Sequence, residues 1–198
     1  MKCDVVLAGV GGQGVLSIAA IIARAALKEG LNVRQSEVHG MAQRGGAVLS
    51  HLRISDTHIA SDLVPRGSAD IIISMEPLES LRYTQWLSPE CIVISAEEPL
   101  VNIGNYPDHG AVLAALNAFP RKCIIKAEAL AKEAGQAKSV NMVMVGAASP
   151  FLPLQAQSLE DAIKAAFAEK KPELVAANIK AFKSGRNAAS GKGVGAGV

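Results

Sequence analysis

Apolar and polar positions alternate along this chain in blocks that change period. Cys3–Ala8 is apolar apart from Asp4, rich in valine and followed by glycine, which predicts a central strand. In Val15–Lys28 the polar residues Ser17, Arg24 and Lys28 fall seven and four apart on one narrow stripe. The remainder is apolar, so this stretch predicts a helix buried around most of its circumference, with Gly30 as its C-cap. Leu31–Gln35 predicts a short second strand. Val48–Ile54 alternates, with Leu52 and Ile54 on one side and His51 and Arg53 on the other. With a turn at Ser55-Asp56 it predicts a β-hairpin completed by Thr57–Ser61. The face carrying His51 and Arg53 either meets a partner or is solvated.

The rest of the chain continues the alternation. Asp70–Ser74 predicts a central parallel strand, and Pro77 opens a helix reaching about Gln85, with Glu76 at the crevice or capping that helix. Cys91–Ser95 and Lys122–Lys126 predict strands, Ala96–Pro107 an irregular crossing, and Ala111–Ala118 and Ala127–Ala134 helices. Asn141–Ala148, Leu159–Ala168 and Pro172–Phe182 predict three further helices. From Ser184 the chain is mostly glycine, alanine and serine, with Lys192, and without a pattern, which predicts a flexible tail. These elements predict a three-layer α/β/α fold with a Rossmann-like, mostly parallel mixed sheet, a β-hairpin insertion and C-terminal helices. Residues 1–185 form one domain in this reading and 186–198 the tail.

Composition narrows the function. A net charge of +2 and 4% aromatic residues argue against nucleic acid as a partner. No run of eighteen apolar residues exists, so no membrane span is predicted. Cys3, Cys91 and Cys123 are far apart in apolar runs, with no C-x-x-C among them. They predict buried free thiols in a cytoplasmic protein, and no metal framework in this chain. The basic start Met1-Lys2 is too brief for a secretory signal.

Two glycine-rich segments carry the candidate chemistry. Gly9-Val10-Gly11-Gly12-Gln13-Gly14 lies between the first strand and the first helix and fits the G-x-G-x-x-G spacing. Its glycines permit a tight turn, and the amides of residues 12–14 are placed to hold a phosphate or a pyrophosphate. Gln13 can offer its amide to a ligand or across an interface. The second segment runs Ser36-Glu37-Val38-His39-Gly40-Met41-Ala42-Gln43-Arg44-Gly45-Gly46. In a parallel sheet it faces the same crevice, making Gln13, Glu37, His39, Gln43 and Arg44 candidate neighbours. Glu37 stands where an acid takes a ribose hydroxyl, which keeps a stand-alone dinucleotide-binding protein as an alternative. His39 is either a proton donor or an interface hydrogen-bonder. Arg44 either holds a carboxylate or phosphate or pairs with an acid.

Together these two segments resemble the gamma-type subunits of the 2-oxoacid:ferredoxin oxidoreductases, and most of all the beta subunits of the indolepyruvate type. The resemblance continues through Ser50–Ile54, Ala69-Asp70, Glu76–Glu79, Leu81-Arg82 and Asn141–Gly146, and returns at Asn178 and Ala181-Phe182. It implies a subunit of a complex that decarboxylates a 2-oxoacid on thiamine diphosphate and Mg2+, passes the acyl group to coenzyme A, and sends electrons through [4Fe–4S] clusters to ferredoxin. It implies that a large alpha subunit holds the thiamine and the clusters. Candidate cofactor contacts in this chain are Gly11, Gly12, Gln13, Gly14, Glu37, Gln43 and Arg44, with coenzyme A a candidate ligand beside thiamine or contact with the partner subunit alone. His39 and Arg44 are candidates for a supporting catalytic role. The chain has neither cluster ligands nor a thiamine-binding run, so by itself it is expected to be inactive.

Overall fold

A computed structural model of the chain describes residues 1–39 and 45–191, with His39 described by its backbone alone. In chain order the elements are β1 (Lys2–Val10), α1 (Val15–Lys28), β2 (Asn32–His39), β3 (Ala47–Ser55), β4 (Ala69–Ser74), α2 (Pro77–Arg82), β5 (Leu87–Ala96), α3 (His109–Asn117), β6 (Lys122–Ile125), α4 (Ala127–Glu133), α5 (Val140–Ala148), α6 (Ala156–Ala166) and α7 (Pro172–Gly191). Short 3₁₀ turns at Thr84–Trp86 and Ala137–Ser139 complete it.

The six strands form one sheet in the order β2-β3-β1-β4-β5-β6. β1, β4, β5 and β6 are mutually parallel. β3 runs antiparallel to both β1 and β2, so β2 points the same way as β1. The expected three-layer α/β/α fold with a mostly parallel mixed sheet is therefore present. Its layers are unequal. One face carries α1 and α4–α7 over a core of Val5, Leu7, Ile18, Ile22, Ile71, Ile73, Ile94 and Phe182. The other is covered by α2, α3 and the segment 56–68 over the smaller cluster Val6, Val64, Ala69, Ile72 and Cys91.

α1 spans the residues its polar stripe predicts, and it ends for a local reason. Gly30 has φ 77°, and the amides of Gly30 and Leu31 turn back to the carbonyls of Leu27 and Ala26. This is the left-handed glycine closure that satisfies the last carbonyls of a helix.

Two expectations are corrected. The hairpin is β2–β3, not Val48–Ile54 with Thr57–Ser61. Segment 57–63 makes no ladder; instead Arg53 reaches it by side chain, donating to the carbonyls of Ser61 and Leu63 at 3.1 and 3.2 Å. Accordingly the His51/Arg53 face is neither solvated nor free for a partner, because 56–66 folds over it. His51 is 3% exposed. Its Nδ1 accepts from the Val64 amide at 3.3 Å, and its ring meets Trp86 edge-on. Arg53 Nε pairs with the fully buried Asp4 at 2.7 Å. The second correction concerns the C-terminus. The helix starting at Pro172 does not stop at Phe182 but runs to Gly191, and Ala189 within it is buried. Residues 192–198 of the expected tail lie outside the described residues.

Candidate functional site

The carboxyl ends of β1, β4 and β5 meet at one edge of the sheet, and the first glycine segment lies there. Gly9, next to last in β1, stands where a side chain has no room: a Cβ would lie 2.7 Å from Val15 Cγ2 and 3.1 Å from Met75 Cβ. Gly12 and Gly14 have φ of 102° and 83°, the left-handed region that glycine enters without strain. The backbone so turned leaves the amides of Gly12, Gly14, Val15 and Leu16 without an acceptor among the described residues. They sit at the positive end of α1.

Gln13 uses its side chain inside the chain. Its Oε1 accepts from the Val10 amide at 2.8 Å and its Nε2 donates to the Met75 carbonyl at 3.2 Å. It thereby ties the glycine loop to the turn after β4, across the boundary between the antiparallel and parallel parts of the sheet.

The two glycine segments are joined. The Gly11 amide donates to the Gly46 carbonyl at 2.8 Å, and the Gly45 amide to the Gly11 carbonyl at 3.2 Å. These bonds extend the β1–β3 ladder beyond its last pair, Val10 with Ala47. Asn102, from the loop after β5, donates to the Gly45 carbonyl at 2.6 Å. The common edge expected for both segments is thus present, reached through the β2–β3 hairpin instead of a second strand adjacent to β1. Glu37 lies on β2, exposed, opposite Ser50. Since β3 separates β2 from β1, it stands about two strand spacings, roughly 10 Å, from the glycine-loop strand. That is not the adjacent-strand position of a ribose-binding acid. His39 ends β2 opposite Val48. Gly40, Gln43 and Arg44 lie outside the described residues.

A cavity of about 420 Å³ opens at this edge, lined by Gly12, Gln13, Met75, Glu98, Leu100 and Lys138 among others. Motif reading missed the last three because each lies in irregular chain with no spacing signal. Glu98 closes the start of α4: its two oxygens accept from the amides of Ala127 and Glu128 at 3.0 and 3.1 Å. That helix end is therefore filled by a carboxylate, while the start of α1 has no side-chain cap among the described residues. Lys138 also borders an adjoining cavity of about 240 Å³ with Ser17, Asn141 and Asn178. Asn178 is structural, accepting from Ser139 Oγ at 2.9 Å and donating to the Leu174 carbonyl at 2.8 Å. A further cavity of about 440 Å³ lies at the opposite, amino ends of the strands, beside Lys2, Asp4 and Arg53. Asp4 there is already held by both cations, and ligands of open α/β sheets enter at the carboxyl ends.

The acids near the crevice are committed. Glu76 is 1% exposed; it caps α2 by accepting from the Glu79 amide at 2.8 Å and also accepts from the Tyr106 hydroxyl. The Glu79 carboxyl is pushed up by burial, with Arg82 at 2.9 Å opposing. The thiols of Cys3 and Cys91 are raised by burial to about 12, which keeps them protonated and unreactive. Among the described residues no three His, Cys, Asp or Glu side chains are grouped as metal ligands, and the three cysteines sit on three different strands. The arrangement can receive an anion and a neutral arm; its described groups do not assemble a nucleophile with a base.

Comparison with known proteins agrees with this geometry. The family model described as pyruvate ferredoxin/flavodoxin oxidoreductase matches residues 4–188. The chain is 39% identical to indolepyruvate oxidoreductase subunit IorB of Archaeoglobus fulgidus, covering 96% of each, and 36% identical to the subunit of that name from Methanothermobacter thermautotrophicus, covering 96% and 99%. It is 29% identical to 2-oxoglutarate synthase subunit KorC of A. fulgidus, over 93% of this chain and 86% of that one. In fold it is similar to the 2-oxoglutarate:ferredoxin oxidoreductase of Magnetococcus marinus, solved with 2-oxoglutarate, coenzyme A and succinyl-CoA bound. The TM-score is 0.76 at 22% identity, over 96% of this chain and 31% of that one. The keto/oxoacid ferredoxin oxidoreductase gamma subunit of Geobacter sulfurreducens gives a TM-score of 0.69 at 23% identity, over 96% and 99%. Among the described residues no helix is long and apolar enough to cross a membrane. With the family match spanning nearly the whole chain and two IorB relatives above 30% identity end to end, this protein belongs to the 2-oxoacid:ferredoxin oxidoreductase family, as one of its small subunits.

Proposed function

We propose that this chain is the small subunit of an indolepyruvate or related arylpyruvate:ferredoxin oxidoreductase of the cytoplasm. Its partner is a large subunit holding thiamine diphosphate, Mg2+ and the [4Fe–4S] clusters, from which ferredoxin takes the electrons. The order of identities carries the substrate assignment: 39% and 36% to the two IorB subunits against 29% to the 2-oxoglutarate subunit. The described residues fit a place for coenzyme A. The amides at the start of α1, without an acceptor among the described residues, and the ammonium of Lys138 suit its phosphates, and the apolar wall at Met75, Pro99 and Leu100 suits its uncharged arm. Coenzyme A supplies the thiol that accepts the acyl group. This chain would hold and orient that carrier and shield the site from water. Gln43, Arg44 and His39 are further candidate contacts from the sequence, the last two with a supporting catalytic role. The described residues do not suit the clusters, since the thiols are buried on separate strands.

The test is co-expression with the large subunit and anaerobic, coenzyme A-dependent dye reduction, each subunit alone and both together. The expected result is turnover by the pair only, with indolepyruvate or phenylpyruvate preferred over 2-oxoglutarate by at least tenfold. Preference for 2-oxoglutarate would overturn the substrate assignment, and failure of the wild-type chains to associate would overturn the subunit role. Replacing Arg44 by alanine is expected to cut turnover at least tenfold while the complex stays assembled.

A further inference from the structure

We infer that the large subunit docks on the loop Pro99–Val101 after β5, seating Leu100 and Val101 in an apolar pocket rimmed by basic side chains. This docking site presupposes the two-subunit reading and adds the surface on which it is realised.

Val101 is 66% exposed, the most of any large apolar residue among the described ones, and Leu100 beside it is 40% exposed. Pro99 is exposed as well, so three consecutive apolar side chains face water. They are held there. Glu98 is fixed on one side by the amides of α4, and Asn102 on the other by the Gly45 carbonyl. Tyr106 anchors the outgoing chain to Glu76. A loop pinned at both ends cannot fold its apolar residues inward, and a contiguous exposed apolar patch rimmed by polar residues marks an interaction site. Leu100 also lines the crevice, so whatever covers the loop adjoins the glycine segments.

Charge selects the occupant. From Glu97 to Pro120 the chain has no lysine or arginine but three acids: Glu97, Glu98 and Asp108. Glu97 and Asp108 flank the loop, and Lys138 is the one cation lining the crevice among the described residues. A second copy of this chain would set acid against acid, whereas a basic rim complements the loop and speeds its encounter. Size points the same way. In the Magnetococcus enzyme this fold is 31% of a longer chain, so about two thirds of that polypeptide is further protein joined to it. The IorB relatives are matched over 96% and 99% of their own length, so among them this fold is a subunit of its own.

The test is co-purification of the tagged chain with the large subunit under anaerobic conditions, comparing wild type, Val101→Glu and Leu27→Glu. Leu27 is 62% exposed in the last turn of α1, at the opposite end from the glycine loop. Val101→Glu is expected to lower recovered large subunit at least tenfold, with the thermal midpoint of the chain unchanged, while Leu27→Glu recovers the wild-type amount. Glu97→Lys is expected to weaken the complex at low salt and to lose that effect at high salt. Wild-type recovery by both Val101→Glu and Glu97→Lys overturns the docking site and leaves the subunit role standing. A wild-type chain that recovers no large subunit removes the subunit role and the docking site together. Should Val101→Glu lower the thermal midpoint, Val101→Ser takes its place, with a smaller loss expected and an unchanged yield counting against the site. A wild-type homodimer that Val101→Glu dissociates assigns the loop to a second copy and also overturns the proposal.

Discussion

Gly9 shows how little room the site leaves at single residues. With Val15 Cγ2 2.7 Å from a would-be Cβ, the methyl of Gly9→Ala must push the start of α1 away from β1. Overpacking of this kind costs about 1–3 kcal/mol. The expected outcome is a fall in the thermal midpoint of roughly 2–10 °C for a chain of this size, read by circular dichroism. His51 makes a different residue-level prediction. Burial lowers its pKa, and its neutral Nδ1 accepts the Val64 amide. The unfolded chain titrates near the ordinary histidine value, about 6.5. Above that pH both states are neutral and His51 adds no slope. As pH falls below it the unfolded state takes up a proton first, so stability declines until the lower folded pKa is reached. Urea midpoints between pH 7.5 and 5 should fall in the wild type and fall less in His51→Gln; equal slopes would remove His51 as the cause.

At the scale of elements, α5 and α7 cross with almost nothing between them. A Cβ on Gly146 would lie 1.9 Å from the Phe182 carbonyl oxygen, and one on Gly185 would lie 2.0 Å from that of Val143. Gly146→Ala is expected to destabilise by about 3 kcal/mol or more, because backbone and not a flexible side-chain tip must yield. Chemical denaturation with the linear extrapolation reads it directly. The same crossing explains why periodicity ended the last helix too early. Hydrophobic spacing reports large apolar side chains, but the packing face beyond Phe182 is built from Gly185, Ala188 and Ala189, whose value is their smallness. The hairpin was misplaced for a related reason. Alternation in Val48–Ile54 correctly marked a strand, but alternation does not name the strand's partner. The longer, polar β2 took the ladder, while Arg53 held 57–63 by side chain.

For the whole molecule, Gln13 joins the two parts of the sheet by bonding Val10 on one side and Met75 on the other. Gln13→Leu leaves both backbone groups without that partner, at a cost of about 1–3 kcal/mol. Faster amide exchange at Val10 than at mid-strand Val6 would locate the effect at this seam, and unchanged exchange would argue against the clamp.

By itself the sequence determined the fold class, the boundaries of α1, the strand–glycine–helix opening and the family. These follow from local period, from glycines whose backbone role is local, and from motifs read in line. It placed both glycine segments at one edge of the sheet, and the bonds between Gly11 and Gly45-Gly46 bear that out. Only the tertiary structure decided that Gln13 bonds its own chain, that Glu37 lies beyond β3, and that His51 and Arg53 are covered. Only there do Glu98, Leu100 and Lys138 converge on one cavity. Each depends on which segments become neighbours across the sheet, a matter of long-range pairing that the spacing of residues along the chain does not encode.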